Sequence, residues 1–274
     1  MAATRAMVQA SHPLPAVAVT AVAAGLAAGT DLPLDLVLTI TAAIFAGQLS
    51  VGWLNDFVDA RRDAEVGRMD KPVATGAIAP RPVLIGFIAS AVAAVALTAP
   101  SGPAATLAHV AALASAWAYD LGVKATAFSA VPFAFSFGML PAIVSLGLPG
   151  APLPPLWLMG GAAALGCAAH FVNVLPDFAD DAATGVRGLP HRLGPLASRL
   201  GAAALVLTAS ALLVFGPSGT PDPLALTAVP LAAAILTAGL LLGRKARSRA
   251  AFRAVMLVAL IDVALLLFTG VAVG

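Results

Sequence analysis

Nine apolar stretches, at 13–29, 33–54, 82–97, 104–123, 127–146, 156–175, 197–215, 223–242 and 251–273, fill most of this 274-residue chain. A helix needs roughly 20 apolar residues to cross the ~30 Å hydrocarbon core of a bilayer. Each stretch is close to that length, the third being the shortest. A backbone segment inside lipid must satisfy its own N–H and C=O groups, which a helix does within itself. The expectation is an all-α polytopic membrane protein, nine transmembrane helices forming a single domain over 1–274. Composition agrees: 60% of residues are hydrophobic, 10% are charged and the mean hydropathy is +0.97, too little polar surface to coat a soluble globule.

Charge in the connecting segments tests the count, because Lys and Arg concentrate on the cytoplasmic side of membrane proteins. With a cytoplasmic N-terminus, the inside segments hold Arg5; Arg61, Arg62, Arg68, Lys71 and Arg81; Lys124; Arg187, Arg192 and Arg199; and Arg244, Lys245, Arg247, Arg249 and Arg253, which is every basic residue. The turns at 99–103, 148–155 and 216–221 carry none. The pI near 9.1 therefore reflects topology and gives no reason to expect a nucleic-acid partner. Residues 1–13 carry Arg5 and run into the first apolar stretch without a processing site, so no cleavable leader is expected. The lone Cys167 lies in an apolar run, where a small buried hydrophobe is expected and no intramolecular disulfide can form.

Eight of the thirteen acidic residues fall in or close around two clusters, 55–63 and 177–181, each directly behind an apolar run. Carboxylates at the edge of a hydrocarbon phase are costly unless paired or bound to a cation. Asn55, Asp59 and Asp63 recur every four residues, so on a helix continuing from the second stretch they share one face. Asp177 and Asp181 repeat the spacing behind the sixth. Oxygen ligands on two helix ends suit Mg2+, which keeps waters and recruits phosphate oxygens. Arg68 and Lys71 follow the first cluster, Arg187 and Arg192 the second; carboxylate–metal on one side and guanidinium or ammonium on the other is an arrangement that neutralises a diphosphate. Both clusters sit in long inside loops, which are expected to build a cytoplasmic cap.

The pattern Asn55-Asp56-x-x-Asp59-x-x-x-Asp63, then Arg68-x-x-Lys71-Pro72-Val73-Ala74-Thr75-Gly76, then Asp177-x-x-x-Asp181-x-x-x-Gly185-Val186-Arg187-x-Leu189-Pro190-x-x-Leu193-Gly194 resembles the UbiA superfamily of intramembrane prenyltransferases. The resemblance implies a helical bundle around a central cavity open sideways to lipid and capped by the two motif loops. It implies transfer of an isoprenoid chain from a prenyl diphosphate to an acceptor, usually aromatic, with Mg2+ between aspartates and diphosphate. By position it assigns Asn55, Asp59, Asp63, Asp177 and Asp181 to the metal–diphosphate site, with Asp56 and Asp180 as neighbours. The segment from Trp117 to Lys124 is similar to a third family segment, which would put Lys124, with Arg68, Lys71, Arg187 and Arg192, on the diphosphate, and Tyr119 near the cation or acceptor. Two departures stand out: Lys71 where Arg-Pro is commoner, and Gly188 in place of the usual Thr.

Gln48, His109, His170, Asn173 and Asp262 are polar positions inside apolar runs. Gln48 and Asn173 are candidates for cavity or acceptor contact; His109, His170 and Asp262 are expected to be interhelical hydrogen-bonders. Two other functions are compatible with the pattern. An intramembrane terpene cyclase would use the same ionisation with an all-apolar, aromatic cavity, whereas polar cavity groups favour transfer. A divalent-cation or phosphate-compound transporter would place its ligands at mid-bilayer, where only Asp262 stands. The alanine-rich composition suggests a GC-rich bacterial genome, hence the bacterial inner (plasma) membrane. Acceptor and donor length are not encoded in any motif.

Overall fold

A computed structural model describes residues 2–243 and 248–269. Arg244, Lys245 and Arg247 of the last basic segment, and the end of the ninth apolar stretch beyond 269, lie outside the described residues. Every regular element among the described residues is helical: α1 (Ala2–Ala10), α2 (Pro13–Ala28), α3 (Leu34–Glu65), α4 (Pro80–Thr98), α5 (Pro103–Leu121), α6 (Val131–Ser145), α7 (Leu156–Val174), α8 (Phe178–Ala183), α9 (Leu189–Leu193), α10 (Pro195–Phe215), α11 (Ala228–Leu242) and α12 (Ala250–Phe268), with short 3₁₀ turns between some of them. Proline in the first turn starts α2, α4, α5 and α10, where its missing N–H costs no helical bond and its fixed φ is already helical.

The outer surface is the inverse of a soluble protein's. Ile85, Ile88 and Val92 on α4, Leu196 and Leu200 on α10, and Leu241 and Leu242 on α11 are all more than half exposed. An apolar exterior of this extent belongs against lipid. Among the described residues, six helical segments are long and apolar enough to cross a membrane: 34–65, 80–101, 156–183, 195–215, 225–242 and 250–268; α1 and α2, bent by 57° at their junction, make a seventh if counted as one. The sequence expectation was nine. The difference has local causes: α6 has only 15 residues, and α5 carries His109, Tyr119 and Asp120 among its 19.

Two packed regions frame a cavity. One joins α7, α10, α11 and α12 through residues such as Phe171, Val206, Leu236 and Val255; the other joins α2, α3, α5 and α6 through Leu26, Ile44, Leu140 and Ile143. Close approach relies on missing side chains. A Cβ on Gly166 would lie 2.5 Å from the Phe133 carbonyl oxygen, and one on Gly52 would collide with the Ser11 backbone. Between them, α2, α3, α5, α6, α7, α10 and α12 line a cavity of about 260 Å³.

Candidate active site

α3 runs for 32 residues, about 48 Å at 1.5 Å per residue. It therefore continues well past its apolar stretch, carrying the first acidic cluster as uninterrupted helix. Asp56, Asp59 and Asp63 are 1%, 5% and 3% exposed. Burial of three carboxylates on one helix end is tolerable because cations converge on them. Lys124 Nζ lies 2.5 Å from Asp59 Oδ1, and Arg62 Nη2 2.8 Å from Asp59 Oδ2. Lys71 Nζ donates to Asn55 Oδ1 at 3.0 Å and stands 3.4 Å from Asp56 Oδ1 and 3.9 Å from Asp63 Oδ2. Asn55 Nδ2 in turn reaches Asp59 Oδ2 at 3.1 Å and Asp120 Oδ1 at 3.0 Å, tying α3 to α5.

The second cluster faces the first. α7 ends at Val174, and a 3₁₀ turn over 175–177 redirects the chain into the short α8; the turn presents Asp177, and α8 presents Asp181, toward the first motif. Arg62 Nη2 is 3.8 Å from Asp63 Oδ1 and 3.8 Å from Asp181 Oδ1, and Arg68 Nη1 is 3.0 Å from Asp177 Oδ1. The two motifs thus meet across two guanidiniums. Arg68 also grips Asp70 with two bonds of 2.8 and 3.0 Å. That bidentate hydrogen bond holds the Asp70 carboxyl well below the usual carboxylate range and pushes the Arg68 guanidinium further up.

Of the positions that the sequence singled out, Asn55, Asp59, Asp63, Lys71 and Lys124 form one network, joined through Arg62 and Arg68 to Asp181 and Asp177. Arg187 and Arg192 do not join it: both are exposed, and Arg192 Nε donates to the Arg187 carbonyl at 3.2 Å. Tyr119 lines the cavity, its ring edge-on to Phe133 at 5.0 Å and to His170 at 5.5 Å.

Four contributors escaped the sequence reading. Arg62 looked like one more inside cation. His12, at the α1–α2 bend with φ of +52°, places Nε2 3.0 Å from Lys71 Nζ; an ammonium has only donors, so His12 accepts. Asp120 is 2% exposed with Oδ2 unpartnered. Finally, α1 braces the first motif loop: Trp53 Nε1 donates to the Met7 carbonyl at 3.0 Å, Gln9 Nε2 to the Asp70 carbonyl at 2.9 Å, and Ala6 packs with Val73 and Ile78. Only the bend and its left-handed residue are unusual locally, and neither is signalled by a helix of ordinary composition.

The second motif loop is anchored from beneath. The Leu189 N–H donates to Ser129 Oγ at 2.8 Å, and Ser129 Oγ is 3.0 Å from His170 Nε2. A Cβ on Gly188 would stand 2.6 Å from the Lys124 carbonyl oxygen and 2.7 Å from Ser129 Oγ, which is why a Thr does not fit there. His191 stacks on Phe178 at 4.2 Å, and burial holds its imidazole below the usual value.

Among the described residues, no three His, Cys, Asp or Glu side chains are gathered into a ready metal cage. Asp56 Oδ1 and Asp63 Oδ2 are buried without a hydrogen-bond partner. Carboxylate oxygens that face only the Lys71 ammonium, at 3.4 and 3.9 Å, opposite a second acidic pair and with no closed cage, fit a hard cation that takes one or two carboxylates and completes its shell with water and phosphate.

The sequence matches the UbiA prenyltransferase family over residues 16–261. Among solved structures, a UbiA homolog from Archaeoglobus fulgidus bound to GPP and Mg2+ superposes with a TM-score of 0.72 at 16% identity, covering 97% of this chain and 99% of that one. An apo UbiA homolog from Aeropyrum pernix K1 gives 0.70 at 16% identity over 97% and 98%. A digeranylgeranylglyceryl phosphate synthase gives 0.64 at 15% identity over 100% and 99%. No curated protein sequence matches significantly. At these identities the structural likeness speaks for the fold; the family model, matching most of the chain, speaks for kinship. This integral membrane protein belongs to the UbiA prenyltransferase family.

Proposed function

We propose that the protein transfers an isoprenoid chain from a prenyl diphosphate to a small, usually aromatic acceptor in a Mg2+-dependent reaction inside the bilayer. The observation that carries this reading is the meeting of the two acidic motifs, with Lys71, Lys124, Arg62 and Arg68 among them, at the mouth of an apolar cavity. The neighbour from Archaeoglobus fulgidus, bound to GPP and Mg2+, supports the choice of donor and cation.

Asn55, Asp59 and Asp63, with Asp177 and Asp181, would hold Mg2+, which supplies charge neutralisation of the leaving diphosphate. Lys71, Lys124 and Arg68 are placed to bind the diphosphate oxygens; Arg187 and Arg192 would need to move inward to do so. The apolar walls lodge the chain and exclude water from the allylic cation that ionisation leaves. Tyr119, its ring on the cavity wall beside Phe133, offers that cation an electron-rich face. Gln48, His109, Tyr119 and Asn173 also line the cavity. Their polarity favours transfer over the terpene-cyclase reading, and the placement of the carboxylates at one end favours either over transport.

We further read the chain as one domain with nine crossings, α5 and α6 among them, and with the N-terminus and both motifs cytoplasmic in a bacterial inner membrane. The test of function is diphosphate release from geranyl or geranylgeranyl diphosphate by the purified protein, with Mg2+ or EDTA, and product mass spectrometry with and without acceptors. Mg2+-dependent release is expected. Asp59→Asn and Asp181→Asn should each lower it by at least 100-fold, the order of loss for one electrostatic group in a preorganised site, with unchanged melting behaviour. Full release by both variants would refute the site.

A further inference from the structure

The central cavity is not uniformly apolar, and its unmet polar groups are not all beside the motifs. Gln48 lies seven residues before Asn55 on α3, and His109 eleven before Asp120 on α5, which puts them roughly 10 to 16 Å from the diphosphate end. Both line the cavity. His109 is 2% exposed. Its Nδ1 is 2.7 Å from Thr98 Oγ1, which also bonds the Ala94 carbonyl at 2.8 Å. Nε2 has no hydrogen-bond partner among the described residues, and neither has the Gln48 amide.

Their helices touch at this depth, and both side chains open on the same cavity. Gly47, next to Gln48, comes so close to α5 that a Cβ there would lie 3.0 Å from His109 Nε2 and from Leu113 Cδ2. Polar groups held at membrane depth with unmet hydrogen-bonding capacity are costly, and such groups normally have partners. Ser136, also in the cavity wall, illustrates the norm, its hydroxyl donating to the Ala112 carbonyl at 2.8 Å. Charge has no counterpart at this depth. Among the described residues, no Lys or Arg lines the cavity, and the one carboxyl that does, Asp120, is at the motif end.

We propose that Gln48 and His109 form a specificity subsite that reads an uncharged polar group of the acceptor, a hydroxyl or a carbonyl, at the end remote from the diphosphate. The inference rests on the transferase reading above and narrows it. The acceptor enters with a neutral hydrogen-bonding end inward, and a carboxylate at that end is rejected because no Lys or Arg among the described lining residues offsets its charge. A phenolic O–H donates to His109 Nε2 when Nδ1–H is given to Thr98, and a carbonyl accepts from the Gln48 amide.

The test uses the full chain in lipid nanodiscs with Mg2+ and the unreactive donor analogue geranyl thiolodiphosphate. Binding of three probes of like shape is measured: 1-naphthol, its methyl ether and 1-naphthoate. Expected is roughly tenfold tighter binding of 1-naphthol than of the ether, the value of one hydrogen bond, with 1-naphthoate weaker than either. Combining Gln48→Leu with His109→Phe should erase the preference for naphthol while leaving thiolodiphosphate binding unchanged. Equal or absent binding of naphthol and ether, tight binding of 1-naphthoate, or survival of the preference in the double variant would overturn the subsite. The ligand comparison needs only the unaltered protein, so it stands if the variant misfolds. Failure of thiolodiphosphate to bind with Mg2+ would overturn the transferase reading and the subsite with it; normal thiolodiphosphate binding without the naphthol preference would overturn the subsite alone.

Discussion

At the scale of single residues, the i, i+4 spacing of Asn55, Asp59 and Asp63 was readable because a helix turns spacing into a shared face. Arg62 was not readable, because its role depends on a partner more than 100 positions away. Its Nη2 lies within 3.8 Å of Asp59, Asp63 and Asp181, the gap that a cation shared by both motifs would need. A unit charge at 4 Å opposes another by about 1 kcal/mol in water and more where solvent is scarce. Arg62→Gln should therefore tighten Mn2+ binding in the absence of any diphosphate by roughly fivefold or more, read from the electron paramagnetic resonance of free Mn2+. Arg61→Gln removes the same charge from a side chain that is 93% exposed and paired with Glu65, so it should leave the affinity near that of the wild type. Equal effects of the two would mean that bulk charge, not the contact, governs metal entry.

At the scale of elements, the long α3 followed from helix-forming sequence between 55 and 65, with no glycine or proline to stop it. The second motif behaves differently. Pro176 and the glycines at 185 and 188 break it into a 3₁₀ turn, the six-residue α8 and the five-residue α9, elements too short to hold themselves. Their order comes from Ser129 and His170 beneath, a tertiary cause that no local pattern records. His170, expected as an interhelical hydrogen-bonder, makes its bond from α7 to Ser129 in the turn just before α6. Ser129 is fully buried, and Ser129→Ala would strand the Leu189 N–H and a ring nitrogen of His170. Leaving such a group unpaired costs about 1–3 kcal/mol. Hydrogen exchange over 185–193 should accelerate by roughly fivefold or more, while exchange in the first motif loop stays unchanged. Uniform acceleration across both loops would show general destabilisation instead of a lost anchor.

At the scale of the whole molecule, the two kinds of signal for topology part company over α5 and α6. The apolar stretches at 104–123 and 127–146 cover both, but a count by helix length and mean hydropathy passes over them, since α5 spends its polar residues on the cavity and α6 is short. Charge does not pass over them: Lys124 lies between them, whereas the turns at 99–103 and 148–155 hold no basic residue. A helix lining a polar cavity can be less apolar than one facing lipid on all sides, because neighbouring helices and not hydrocarbon surround its polar face. The same trade that makes α5 inconspicuous as a span makes it the element that contributes His109, Tyr119, Asp120 and, just past its end, Lys124. If α5 and α6 cross, residues 127 and 153 lie on opposite sides. In a Cys167→Ala background, Ala127→Cys should react with a membrane-impermeant maleimide only in inside-out vesicles, and Leu153→Cys, at a position 76% exposed, only in right-side-out cells. Labelling of both from one side would remove the two crossings together and with them the enclosed cavity on which the proposed chemistry depends.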